Sequence, residues 1–164
     1  MRWPPRVILP YRSSIGVMLV NQNDKVLIAR RIETKAKAWQ MPQGGIDKGE
    51  SPESAALREL KEEIGTNNVS IIAKTKTPHK YDFPLSLMGR LWKGQYRGQS
   101  QIWFLMRFEG QDEEINVHTE HPEFCEWKWT EINNLIEIAV PFKRNLYKAI
   151  IEEFDAHIKS PRNT

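Results

Sequence analysis

Cysteine is nearly absent: Cys125 is the only one in 164 residues. An internal disulfide is excluded, and the composition suits a reducing compartment. Long hydrophobic runs are also missing. The longest apolar stretch, Ile15 to Val20, is far too short to span a bilayer. The opening residues, MRWPPRVILPYRS, hold prolines and no sustained apolar segment, so they do not read as a signal peptide. Neither sign of charge dominates: 24 Lys and Arg face 21 Asp and Glu, a formal net charge of +3. No internal repeat or linker divides the chain. These absences lead us to expect a soluble, cytoplasmic monomer with no membrane partner.

Hydrophobic residues make up 40% of the chain and charged residues 27%, as in an ordinary globular protein. The length suits one domain with a real core. We expect an irregular arm over residues 1–10, one domain over 11–158 and a frayed tail over 159–164. Strands are expected at Ser14 to Val20, Val26 to Ile32, Val69 to Thr75, Gln101 to Phe108 and Phe124 to Thr130, with extended pieces at Thr77 to Asp82 and Ile115 to His118. Phe83 to Tyr96 reads as a loop anchored by Leu85, Leu87, Leu91 and Trp92. Glu131 to Ile138 suggests a short helix. Pro141 opens a long amphipathic helix with Leu146, Ile150 and Phe154 at four-residue spacing. Strands, an early helix, more strands and a late helix define the α+β class. His118 and His121 read as ordinary loop residues, because a zinc site would need further ligands. Cys125 reads as a packed small hydrophobe.

The chemistry concentrates between Gly44 and Thr66, GGIDKGESPESAALRELKEEIGT. Gly44, Gly45 and Gly49 are expected to allow left-handed torsions and a close backbone approach to phosphates. Ser51 is a good N-cap, Pro52 suits the first helical position, and Gly65 suits the helix end. Ala56, Leu60 and Ile64 form one apolar face. Glu59, Glu62 and Glu63 gather on another. An acidic face is often only a solvated one. Here the like charges repel at i,i+4, and two of them sit at the end of the helix dipole that disfavours anions. A bound hard cation, Mg²⁺ or Mn²⁺, explains the cluster better. A basic balance around an acidic metal site suits an anionic substrate.

This stretch resembles the Nudix box, G-x5-E-x7-R-E-U-x-E-E-x-G-U with U aliphatic. Gly44, Glu50, Arg58, Glu59, Leu60, Glu62, Glu63 and Gly65 match at the required spacing. Only Thr66 departs, at an edge position that packs rather than catalyses. The resemblance implies an α/β/α sandwich around a mixed sheet, and hydrolysis of a phosphoanhydride in a nucleoside diphosphate linked to another group. It implies two or more metal ions held by Glu59, Glu62 and Glu63. Gly44, Glu50 and Glu123 complete the implied metal set. Arg58 is expected to pair with a box carboxylate, and Glu50 to brace the loop or the outer sphere of the metal. Glu123 is expected as ligand or general base.

Further stretches look like the bacterial RNA pyrophosphohydrolase subfamily: Tyr11-Arg12, Trp39 to Gly45, Gly98 to Phe104, Pro122 to Phe124, Trp127 to Trp129 and Pro141 to Arg144. The implied substrate is 5′-triphosphorylated RNA, whose trimming would promote mRNA decay. Dinucleoside polyphosphate is the alternative, because diadenosine tetraphosphate hydrolases share part of these signatures. A non-catalytic nucleotide- or RNA-binding module is a third reading, but such a module would be free to lose box carboxylates, and none is lost. Arg12, Arg31, Lys143 and Arg144 are candidates for phosphate contact, with Gly44 and Gly45 beneath and Phe142 stacking on a base. Arg30 competes with Arg31 for that role.

Overall fold

The computed structural model describes residues 8–32, 39–88 and 91–158. The expected tail, most of the expected arm and the side chain of Trp92 lie outside the described residues.

A mixed eight-stranded sheet forms the middle layer. Its spine is β1 (Tyr11–Val20) lying parallel to β7 (Gly98–Phe108), in register from Tyr11 opposite Gly98 to Val20 opposite Arg107. Antiparallel neighbours extend it. β2 (Val26–Arg31), β3 (Trp39–Gln40) and β8 (Phe124–Thr130) lie on one side, and β5 (Val69–Lys74) and β6 (His79–Asp82) on the other. A parallel pair needs a long crossover. That crossover carries helix α1 (Pro52–Ile64). Short helices α2 (Leu85–Met88) and α3 (Leu135–Ile138) precede the long α4 (Arg144–Ile158).

Alternation along β1 builds two cores. Ile15, Val17 and Leu19 pack with Ala56, Leu60 and Ile64 of α1. Met18 and Val20 pack with Leu146, Tyr147, Ile150 and Phe154 of α4. With helices on both faces, the strand has no solvated side, so its sequence is an unbroken apolar run rather than an alternating one. The sandwich is that expected of the α+β class.

Several elements differ from expectation. β1 begins at Tyr11 and β7 at Gly98, because residues there pair through the backbone, with Arg12 and Gln99 turned toward a cavity. Gln43–Gly45 is not a loop but strand β4, antiparallel to Ser14–Gly16. Gly44 and Gly45 are therefore extended; of the three glycines expected to take left-handed torsions, only Gly49 does, at φ 80°. The Phe83–Tyr96 region contains α2 and a 3₁₀ turn at Leu91–Gly94. Leu85 anchors nothing, being 76% exposed, whereas Leu87 and Leu91 turn toward the cavity. Ile115 to His118 forms no strand. Its Ile115 and Val117 are buried, and the Asn116 amide donates to the Ile64 carbonyl at 2.8 Å, closing the end of α1.

Tyr147 joins α4 to the strand segment beside the cavity: the Met41 amide donates to its hydroxyl at 2.9 Å, in a fully buried setting. Tyr147→Phe leaves that amide without an acceptor. We expect a loss of about 1–3 kcal/mol in chemical denaturation, with the circular dichroism spectrum unchanged.

Candidate active site

The box loop and α1 form a unit held by one side chain. The Ser51 hydroxyl accepts from the Ser54 amide at 3.1 Å and starts the helix. Gly65, at φ 80°, ends it. Between them Arg58 reaches back over the loop. Its Nε and Nη2 donate to the two Glu50 oxygens at 2.8 and 2.9 Å, the planar fork that only guanidinium offers. Nη2 also donates to the Gly45 carbonyl at 2.9 Å. Nη1 donates to Glu59 at 2.8 Å and Glu62 at 3.3 Å. Glu50 thus braces the loop. Arg58 and the Asp47 amide hold its carboxyl down at about 2.

Side chains crowd the glycine pair, from α1 at Gly44 and from the flexible end of Arg12 on β1 at Gly45. A Cβ on Gly44 would collide with the Glu59 carboxylate, and one on Gly45 with the Arg12 guanidinium. These are steric reasons, not torsional ones.

Glu63 is the unusual group. It is 4% exposed, and among the described residues neither carboxylate oxygen has a hydrogen-bond partner. Burial, then the charges of Glu123 and Glu59, push its pKa well above the ordinary value; Arg31 and the nearby Gln43 amide offset only part of this. Glu59 is also raised, by desolvation against the pull of Arg58. Glu62 is 58% exposed and leans on Arg58. Glu123 stands in the loop before β8, with Arg31 at 3.9 Å. Among the described residues, no three acidic, histidine or cysteine side chains converge tightly enough to cage an ion as they stand. Arg58 draws Glu59 and Glu62 aside, as a counter-ion does when carboxylates would otherwise repel. A buried carboxylate with two orphaned oxygens beside a second desolvated one nonetheless fits a hard divalent cation, which would satisfy both.

A cavity of about 550 Å³ has Glu59 and Glu123 in its lining, while Glu50, Glu62 and Glu63 are not among its lining residues. Arg12, Arg31 and Lys143 line it beside Glu59, Glu123, Gly44 and Gly45. Tyr81, Phe83, Leu87, Leu91, Val140 and Phe142 line its apolar remainder. The half-buried Phe142 ring lies 6.1 Å from Tyr81, tilted by 35°. Lys143 is 4% exposed and its Nζ donates to Gln43 at 3.1 Å. Burial and the nearby Arg31 lower its pKa to about 7, with Glu63 opposing.

Arg144 does not line the cavity; its guanidinium donates to the Glu137 carbonyl at 3.3 Å. Arg30 is engaged by Glu126 across the strand pair, and a register shift between Arg30 and Arg31 leaves Arg31 at the cavity. Sequence reasoning gave no role to Tyr81, Gln43 or Gln99, all in the lining. The Tyr81 hydroxyl accepts from Gln99 at 2.6 Å, and Gln99 in turn accepts from Arg12 at 3.1 Å. One signal was present: Gln99 and Gln101 sit two residues apart on a face that is apolar further along the same strand.

The chain matches the NUDIX domain over residues 10–150. It belongs to that family, whose members generally use a divalent metal such as Mg²⁺. An RNA pyrophosphohydrolase of Roseobacter denitrificans is 51% identical over 152 residues, covering 92% of this chain and 95% of its own. One of Rickettsia typhi is 50% identical over 151 residues, covering 92% and 94%. Among solved structures, an E. coli dihydroneopterin triphosphate pyrophosphohydrolase superposes with a TM-score of 0.65 at 20% identity, covering 88% of this chain and 99% of its own. A C. elegans Ap4A hydrolase does so at 0.61 and 20%, covering 90% and 98%. These two share the fold.

Two predictions follow from the carboxylates. The Glu50 pKa is depressed in the fold, so its stabilising effect is full above the ordinary value of 4.5 and is lost as pH falls toward about 2. Glu50→Gln should therefore lower Tm at neutral pH, with the gap from wild type closing across that window. Glu63 has the opposite sign: its raised pKa makes the ion-free fold less stable as pH rises through it. Glu63→Gln should raise Tm in chelator and abolish the Tm increase that Mg²⁺ gives the wild type, both read by calorimetry.

Proposed function

We propose that this chain is an RNA pyrophosphohydrolase, which cleaves the 5′-triphosphate end of RNA to release pyrophosphate and leave a 5′-monophosphate. The carrying observation is one cavity that joins the carboxylates of Glu59 and Glu123 to cationic walls and an aromatic pair, with the buried Glu63 on the same helix as Glu59. Relatives at about half identity over nearly the whole chain bear that name, which supports the same reading.

Glu59, Glu62 and Glu63, with Gly44, Glu50 and Glu123 around them, would hold Mg²⁺ or Mn²⁺, as two or more ions. Bound there, such ions would neutralise phosphate charge and would lower the pKa of a water so that a base could ready it for attack on phosphorus. Arg58 holds Glu59 and Glu62 on one shared nitrogen, and Glu50 on its fork, until they are engaged. Glu123, more exposed than Glu63 and only loosely paired with Arg31, is the proposed base for the attacking water. Arg12, Arg31 and Lys143 take the phosphate chain, and a desolvated Lys143 strengthens its hold as a phosphate oxygen replaces Gln43. Gly44 and Gly45 let that chain lie close to the backbone. Phe142 and Tyr81 receive a base by stacking. Arg144 is left to guide RNA from outside the cavity.

Rates on triphosphorylated RNA and on diadenosine tetraphosphate, measured side by side with Mg²⁺, test the assignment. We expect RNA to be preferred in kcat/KM; the reverse preference would make this a dinucleoside polyphosphate hydrolase. Phe142→Ala should raise KM for RNA roughly tenfold with kcat nearly unchanged, the loss of one base–aromatic stack. An unchanged KM in a folded variant would remove Phe142 from the base site.

A further inference from the structure

We infer that His79 and Glu153 are positioning residues, which clasp strand β6 to helix α4 and thereby set the Tyr81–Phe142 wall of the cavity. This rests on reading that cavity as the nucleotide site.

β6 is only four residues long, and among the described residues its strand partner is β7 alone. Such a short edge strand has few backbone bonds to hold its outer side. Glu153 of α4 supplies the missing hold. One carboxylate oxygen lies 2.8 Å from His79 Nε2, and the other accepts the Lys76 amide at 2.9 Å. One helical side chain thus grips both ends of the turn that leads into β6. The contact is largely sheltered, with the two side chains 20% and 28% exposed. Desolvation opposes ionisation of Glu153, yet His79 and the Lys76 amide keep its pKa below the ordinary value.

Two residues beyond His79, on the same face of β6, stands Tyr81. Its ring packs on the α4 core and faces Phe142, which lies in the 3₁₀ turn Pro141–Lys143 running directly into α4. The strand and helix joined by the clasp are therefore the two elements that carry the aromatic pair. Neither His79 nor Glu153 lines the cavity. Their influence on the substrate passes through the spacing of the two rings. A shift of strand against helix would open that spacing and weaken stacking, while the carboxylates on α1 stay in place. The clasp should therefore affect KM and leave kcat alone.

The test is a double-mutant cycle. Glu153→Ala should raise KM for triphosphorylated RNA about fivefold with kcat within about twofold, a partial loss of the stacking energy. Glu153→Gln keeps the shape and the acceptor for Lys76 and should restore most of the loss. In Phe142→Ala, adding Glu153→Ala should change KM little further, because the ring through which the clasp acts is gone. An unchanged KM in folded Glu153→Ala, or in His79→Ala should that variant fail to fold, would overturn the proposal. So would KM effects that simply add to those of Phe142→Ala. ADP binding by calorimetry should follow the same pattern without turnover. If the wild type hydrolyses neither substrate, the assigned function falls, and the ADP cycle alone decides the clasp.

Discussion

The contacts of Arg58 are the constraint on which the site depends. A single guanidinium holds the loop through Glu50 and the Gly45 carbonyl, and holds the helix face through Glu59 and Glu62. Loop and helix then cannot move independently. Lysine could not replace it, because a point charge on a flexible stem cannot donate two parallel bonds to one carboxylate while bonding two others. The same contacts compensate a like-charge cluster that would otherwise repel. The loop therefore closes down on α1 before any substrate arrives.

What Arg58 leaves uncompensated is equally informative. Glu63 lies deeper, beyond its reach, with orphaned oxygens in a buried setting. A stability-optimised core would not keep an acid there. Under the proposed function, a bound cation would offset that cost. The opposite walls are cationic, with Arg12, Arg31 and Lys143 facing inward.

The sheet supplies the frame. Helix α1 packs on one face and α4 on the other, so the cavity forms where polar ends of β1, β4, β6 and β7 run out beyond the two apolar cores. Buried glutamines mark that boundary. Trp103 donates to Gln101, Gln101 to Gln43, and Lys143 also to Gln43, a bonded path from the α4 core to the cavity. Each polar group along it is satisfied by a neighbour, which keeps a polar wall rigid inside a packed protein.

The sequence by itself determined the local elements and the chemistry of the box. Helix α1 was legible from Ser51, Pro52 and Gly65 because caps and breakers act over a few residues. The carboxylates were legible because helical spacing alone puts Glu59, Glu62 and Glu63 together. The long strands and α4 followed from apolar periodicity. Tertiary structure decided the rest. Gln43 to Gly45 became a strand only because β1 offered it backbone partners, which no local propensity encodes. Glu63 and Glu62 are neighbours in sequence, yet Glu63 shares the buried face of α1 with Leu60 and Glu62 is exposed. Arg31 was separated from Arg30 by a strand irregularity, and Lys143 from Arg144 by one step of a helical turn. Tyr81 joined Phe142 across sixty-one residues, counted from their numbers in the chain. Contacts of that range depend on how the strands and helices assemble, and sequence pattern carries no record of the assembly beyond each element's own face.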